Sequence, residues 1–179
     1  MKRRYLCFLC AIWLFCGAAC QQQAFHAAEA KQEAELVSFL QEVQSAARAE
    51  VQIYIPAAKG EKHSLPVPPE QLARLKDILS RLRPVPPAMG EDYFIHALWL
   101  AYADIRFSDA KGDMEGRLHG FSIISPKSIM PESEAKGLSP RREKYPYEAR
   151  WYLPDADYAQ LEALPIITQA RRWIGERIK

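Results

Sequence analysis

Apolar residues recur along this chain with two periods, and the period changes several times. Leu36, Phe39, Leu40, Val43 and Ala47 follow steps of three and four, while Lys31, Glu33, Glu35, Gln41 and Glu42 lie off that stripe. A 3.6-residue period predicts an amphipathic helix over 29–47. Its stripe needs cover, so the helix is expected on the domain rather than as a free stalk. Val51, Ile53 and Ile55 then alternate with Gln52 and Tyr54 up to Pro56, the pattern of a half-buried strand. Residues 57–67, with Lys59, Gly60, Glu61, Lys62 and His63, read as a polar loop. A second helix is bracketed by Pro68-Pro69 and by Pro84-Val85-Pro86-Pro87, with Leu72, Leu75, Ile78, Leu79 and Leu82 on one face. Proline suits the first helical turn, where its missing N–H leaves no bond unmade. Glu70 and Arg74, and Asp77 and Arg81, are spaced as i,i+4 ion pairs on the opposite side.

The middle of the chain returns to period two. Ile95, Ala97, Trp99, Ala101, Ala103, Ile105 and Phe107 occupy odd positions of a long strand over 94–107, with a helix over 93–102 as the alternative. A turn over 108–116 and a partner strand over 117–125 complete a hairpin. Centring it on Gly112 pairs Phe107 with Arg117 and Ile105 with His119, and puts Trp99, Ala101, Ile105, Phe121 and Ile123 on the buried face. Residues 126–146, with four prolines, read as a long irregular stretch. Such stretches are uncommon in compact domains. Ala149, Trp151 and Leu153 mark a strand over 148–153. Pro154-Asp155-Ala156-Asp157 opens a helix bearing Tyr158, Leu161 and Leu164, and Pro165 opens a last one bearing Ile166, Ile167, Ala170, Trp173, Ile174 and Ile178. The order α-β-α-β-β-β-α-α lacks any alternating βαβ series. It predicts the α+β class: a small antiparallel sheet with helices packed on one face, in two layers.

The start of the chain follows a different logic. Lys2, Arg3 and Arg4 precede an apolar run from Tyr5 to Phe15, and Gly17-Ala18-Ala19-Cys20 follows. A basic start, a short apolar run and a small-residue cut site define a secretory signal. The run is too short to span a bilayer, which takes about 20 residues. The ending at Cys20 resembles the lipobox of bacterial lipoproteins. That resemblance implies removal of 1–19, acylation of Cys20, a lipid-anchored lead over 20–28 and a single domain over 29–179. It also implies membrane attachment through Cys20. Gln21, rather than Asp, after the cysteine implies the periplasmic side of the outer membrane. Gly17 and Ala19 equally fit an ordinary signal-peptidase cut, which leaves the secreted or periplasmic soluble form as the alternative. The strand, the Pro-bracketed leucine helix, the hairpin and the turn from Tyr152 to Tyr158 resemble small bacterial envelope lipoproteins at the level of pattern. That likeness implies no activity.

Composition narrows the function classes. Cys7, Cys10 and Cys16 lie in the removed segment, so Cys20 alone survives and the domain has no internal disulfide. Removal of 1–19 takes three of the 24 basic residues and none of the 22 acidic ones, which leaves a net charge of −1. A near-neutral domain gives no electrostatic reason to expect nucleic acid.

No G-x-S-x-G, P-loop or H-E-x-x-H motif occurs, and no cofactor, metal or catalytic residue is assigned. His26 lies in the lead and His63 in the polar loop; His96, His119 and Asp104 do not meet as a dyad in the expected hairpin. Asp109, Asp113 and Glu115 lack calcium-loop spacing. Arg141, Arg142, Tyr145 and Tyr147 combine arginine with aromatics, the composition of partner-binding hot spots, and form the candidate partner surface. The expectation is a membrane-anchored cell-envelope lipoprotein, a non-catalytic module that binds an envelope protein or glycan. The alternatives are an exported hydrolase with scattered catalytic groups and an inhibitor or immunity-type protein.

Overall fold

Alternating residues build the central strand. In β1 (Arg48–Ile55), Ala49, Val51, Ile53 and Ile55 are buried, and the intervening Glu50, Gln52 and Tyr54 are half-buried on the other side. The computed structural model describes residues 23, 26–56, 60–85, 101–109, 121–124, 129–137 and 151–178. Around β1 lie β2 (Glu61–Pro66), β4 (Tyr102–Ser108) and β5 (Phe121–Ile124), in the order β2-β1-β4-β5 with antiparallel pairing throughout. Helices α1 (26–45), α2 (Pro69–Leu79), α4 (Asp155–Glu162) and α5 (Pro165–Arg177) contribute their apolar stripes to the same core as the odd positions of β1 and β4. The α+β class and the packing of helices on one face of this sheet agree with the sequence pattern.

The helices are tied to one another by side chains that meet helix ends. Lys76 of α2 donates from Nζ to the backbone oxygens of Gln44 (2.9 Å) and Ala46 (2.5 Å), just where α1 runs out. A cation at a helix C-terminus satisfies carbonyls that lack an intrahelical partner. Gln71 Oε1 accepts from the backbone N–H of Ile166 at 2.9 Å, which closes the first turn of α5 behind Pro165. Arg81 forks onto Asp77 at 3.0 Å through both nitrogens and reaches Asp157 Oδ1 at 3.0 Å through Nε, joining the end of α2 to the start of α4. The hydrogen bond from Arg81 holds the Asp77 carboxyl below its ordinary value.

Three parts of the architecture differ from the sequence reading. The polar loop over 57–67 is largely a strand: β2 pairs with β1 from Glu50↔Pro66 to Ile55↔Glu61. Of the core-side positions, Glu61 is charged and exposed, His63 is half-buried and only Leu65 is a buried apolar residue, so the apolar alternation is too sparse to announce a strand. Charged residues and a proline are what a sheet edge tolerates. The turn into β2 rests on Gly60, whose φ of +74° is the left-handed region and whose Cβ position would lie 3.3 Å from the Tyr54 hydroxyl. Gly60→Ala is expected to destabilise the domain by about 1 kcal/mol, the size of the left-handed penalty for a side chain, read as a lower denaturant midpoint. An unchanged or higher midpoint would remove the conformational role assigned to this glycine.

The stretch over 126–146 contains β6 (Ile129–Pro131) and α3 (Glu132–Lys136). Asp155 Oδ1 accepts from the backbone N–H of Ser133 at 2.9 Å, a cap for α3 supplied from a distant segment, and that bond holds the Asp155 carboxyl below its ordinary value. The single antiparallel sheet is also corrected. β3 (Arg83–Pro84), β7 (Trp151–Leu153) and β6 form a second sheet in the order β3-β7-β6, and β6 runs parallel to β7. Leu153 and Ile129 join the main core, while Val85, Met130 and Ala135 make a small satellite cluster.

The hairpin stands with a different register. Ile105 pairs with Phe121, not His119, and the ladder shifts between Ala103↔Ile124 and Asp104↔Ser122. The slide is two residues at Ile105 and three at Ala103, so Ile124 and not Ile123 takes the register position opposite the core-facing Ala103, and alternation along one strand does not reveal such an irregularity. Ala101 and Ile105 are buried as expected. Residues 93–100, Trp99 among them, lie outside the described residues, as does Arg117. At α1, Ala47 is exposed past the helix end and Ala46 is buried in its place, and Ile178 is exposed after α5.

Candidate functional site

The alternation that buries one face of the four-stranded sheet sets out a polar array on the other. Cross-strand register brings Lys62, Tyr54 and Tyr102 into one row, and Ser64, Gln52, Asp104 and Ser122 into the next. A third row holds Pro66, Glu50 and Arg106. The Tyr54 and Tyr102 rings stand 5.0 Å apart at 52°, and Lys62 Nζ lies 5.9 Å from the Tyr54 centroid, at the outer reach of a cation–π contact. Tyr54 owes its position to the glycine turn beneath its hydroxyl. Partial burial, with Tyr54 and Asp104 as smaller causes, pushes the Tyr102 phenol above its ordinary value. It therefore remains a neutral hydrogen-bond donor through the physiological range.

Glu50 organises the neighbouring row. Its Oε2 accepts from Ser64 Oγ at 2.6 Å, and its Oε1 accepts from Gln52 Nε2. One carboxylate oxygen is thus bonded across to β2 and the other along β1. The array combines two phenols, an ammonium, a guanidinium, two carboxylates, an amide and the Ser64 hydroxyl on a rigid sheet. It can stack and hydrogen-bond a ligand. At its far end, where β1 begins and β4 ends, the face runs into a cleft of about 350 Å³.

The sequence-level candidates fall as follows. Cys20, Arg141, Arg142, Tyr145 and Tyr147 lie outside the described residues, as do His96, His119, Asp113 and Glu115. Asp104 is half-buried in the polar face, opposite Gln52. Asp109 is exposed just after β4, and no group of three or more His, Cys, Asp or Glu side chains with metal-site geometry occurs among the described residues. His26 lies within α1, exposed, with Nδ1 3.2 Å from Glu29 Oε2. His63, assigned from sequence to a loop, is on β2 and stacks on Trp173 of α5 at 4.5 Å and 3°. The other face of Trp173 carries the Arg177 guanidinium at 3.6 Å, and Arg177 also meets Glu61 at 3.1 Å. This ladder fastens α5 to the sheet edge and explains His63 structurally. Trp151 packs on Phe39 at 5.6 Å, a core contact.

The tyrosine–glutamate face was missed at the sequence level, although its signal was present. The odd positions of β1 and β4 that mark the core imply that 50, 52, 54, 102, 104 and 106 share the opposite face. Only the pairing of β1 with β4 shows which of them are neighbours. No protein-family model, curated protein or solved structure matches this chain.

Proposed function

We propose that this chain is a non-catalytic binding module of the bacterial cell envelope, tethered through an acylated Cys20 on the periplasmic side of the outer membrane. The observation that carries the binding reading is the outer sheet face, where Tyr54, Tyr102 and Lys62 adjoin Glu50, Gln52 and Ser64. Aromatic rings offer a flat apolar surface with a polar tip, and a carboxylate–amide–hydroxyl row offers acceptors and donors in fixed positions. A glycan presents the complementary chemistry: apolar C–H faces edged by hydroxyls. That complementarity favours a glycan over a protein as the partner. Arg141, Arg142, Tyr145 and Tyr147 belong to the same proposal on composition alone. The tether rests on the lipobox-like ending and on Cys20 as the one cysteine left after cleavage.

A photo-crosslinking residue at Lys62 in the full chain, expressed in its own envelope, tests the reading. Crosslinks to an envelope glycan are expected. Tyr54→Ala combined with Tyr102→Ala should reduce their yield at least tenfold while leaving the circular dichroism spectrum unchanged. Crosslinks to protein alone would replace the glycan by a protein partner. Turnover of an envelope substrate that disappears in Asp104→Asn would establish the exported-hydrolase alternative instead.

A further inference from the structure

We propose that the cleft at the end of the sheet is a second binding site, selective for an oxyanion, carboxylate or phosphate, carried on a small apolar body. This goes beyond the sheet-face reading and does not rest on it. Four elements meet at the cleft: the start of β1, the end of β4, the end of β2 and the first turn of α2. Its volume of about 350 Å³ lies in the range of sites that take small organic ligands.

The lining divides by chemistry. Val67, Leu72 and Phe107 are its apolar lining, on the core side of the strands, and the cleft wraps the end of the sheet to reach the charged residues of the polar face. Backbone groups nearby already bond one another: Ala47 N–H donates to Ser108 O at 2.9 Å, and Val67 N–H donates to Ala49 O at 2.9 Å. The charged groups are Arg48, Arg106 and Glu50. Register puts Arg106 opposite Glu50 and Arg48 opposite Ser108, so the two arginines are diagonal neighbours on one face of adjacent strands. Diagonal positions lie about 7–8 Å apart at the backbone, within reach of long side chains.

Glu50, directly opposite Arg106, offsets one of the two positive charges but forms no ion pair with either arginine. Its two oxygens accept from neutral donors, Ser64 of β2 and Gln52 of β1 itself. Neither Arg48 nor Arg106 forms an ion pair with a described residue, whereas Arg81, Arg171 and Arg177 each do. Two guanidinium forks beside an apolar wall recognise a planar or tetrahedral oxyanion through paired N–H···O bonds. The wall takes the apolar remainder of the ligand.

Binding by the purified domain is measured by calorimetry with four probes: 3-phenylpropionate, phenyl phosphate, inorganic phosphate and uncharged 3-phenylpropionamide. At least one aromatic anion should bind saturably, and at least tenfold more tightly than the amide and inorganic phosphate. The stronger of the two anions identifies the oxyanion as carboxylate or phosphate. Arg48→Gln with Arg106→Gln keeps most of each side-chain stem and should weaken binding at least tenfold. Arg106→Lys keeps the charge but removes the fork, and should weaken it severalfold. Equal affinity for the amide, an unchanged affinity in the double Gln variant, or no saturable binding below 10 mM would each overturn the proposal. Binding retained by Tyr54→Ala with Tyr102→Ala separates this site from the sheet face.

Discussion

Phe39→Ala should lower the unfolding free energy by about 3–5 kcal/mol, the cost of deleting a buried aromatic side chain whose site cannot fully collapse. Phe39 is only 5% exposed. Its ring meets Phe107 of β4 edge-on at 6.4 Å and 78°, and lies 5.6 Å from Trp151 of β7. One side chain of α1 therefore touches both sheets. Edge-to-face and tilted aromatic pairs contribute about 0.5–1.5 kcal/mol beyond area burial, so the loss should fall in the upper part of that range. For a domain of this size the melting temperature should drop by about 8–15 °C. Trp151 would lose its ring neighbour, so the tryptophan emission of the folded variant should also change. A loss below about 1 kcal/mol would mean that α1 contributes little to the domain, contrary to its burial.

Leu153→Ala tests the other joint and should cost about 2–5 kcal/mol. Leu153 is fully buried, on the short strand β7 between β3 and β6, and belongs to the main core rather than to the satellite cluster. The cavity would open where the second sheet meets the helices. Because Trp151 is on the same strand and touches Phe39, the two substitutions share a neighbourhood. Their double variant should depart from additivity by about 0.5 kcal/mol or more. Denaturant unfolding monitored by circular dichroism measures all three variants. Additive losses would show that the Phe39 and Leu153 sites are not coupled. A Leu153→Ala loss confined to near-ultraviolet signals, with an unchanged main transition, would show the second sheet to be peripheral.

The extent of sequence legibility follows from the range of the signal. The face of α2 was readable because apolar residues repeat at helical spacing between two proline brackets; Leu72, Leu75, Ile78 and Leu79 are its buried face, and Leu82, read as part of it, is buried just past the helix end. The inward face of β1, the hairpin partners of β4 and β5, and the two C-terminal helices were readable for the same reason. Each pattern is long enough for burial to impose a period. Strand β2 was not readable, because an edge strand with one covered side needs few apolar residues. Strand β7 falls within the strand read over 148–153, whereas β3 and β6, with two and three residues, are too short to show any period.

Local sequence thus determined the α+β class and most of the core, since hydrophobic burial acts residue by residue along each element. Tertiary structure alone decided what pairing controls. The register of β4 with β5, with its irregularity between Ala103 and Asp104, is set by backbone pairing and is invisible to the alternation of either strand. The parallel contact of β6 with β7, and the acceptance by Asp155 of the Ser133 N–H at the start of α3, join segments far apart along the chain. Tyr54 meets Tyr102, and Arg48 comes beside Arg106, only because β1 and β4 are hydrogen-bonded in one register. The candidate sites therefore arise from contacts between distant segments, where no short-range pattern forms.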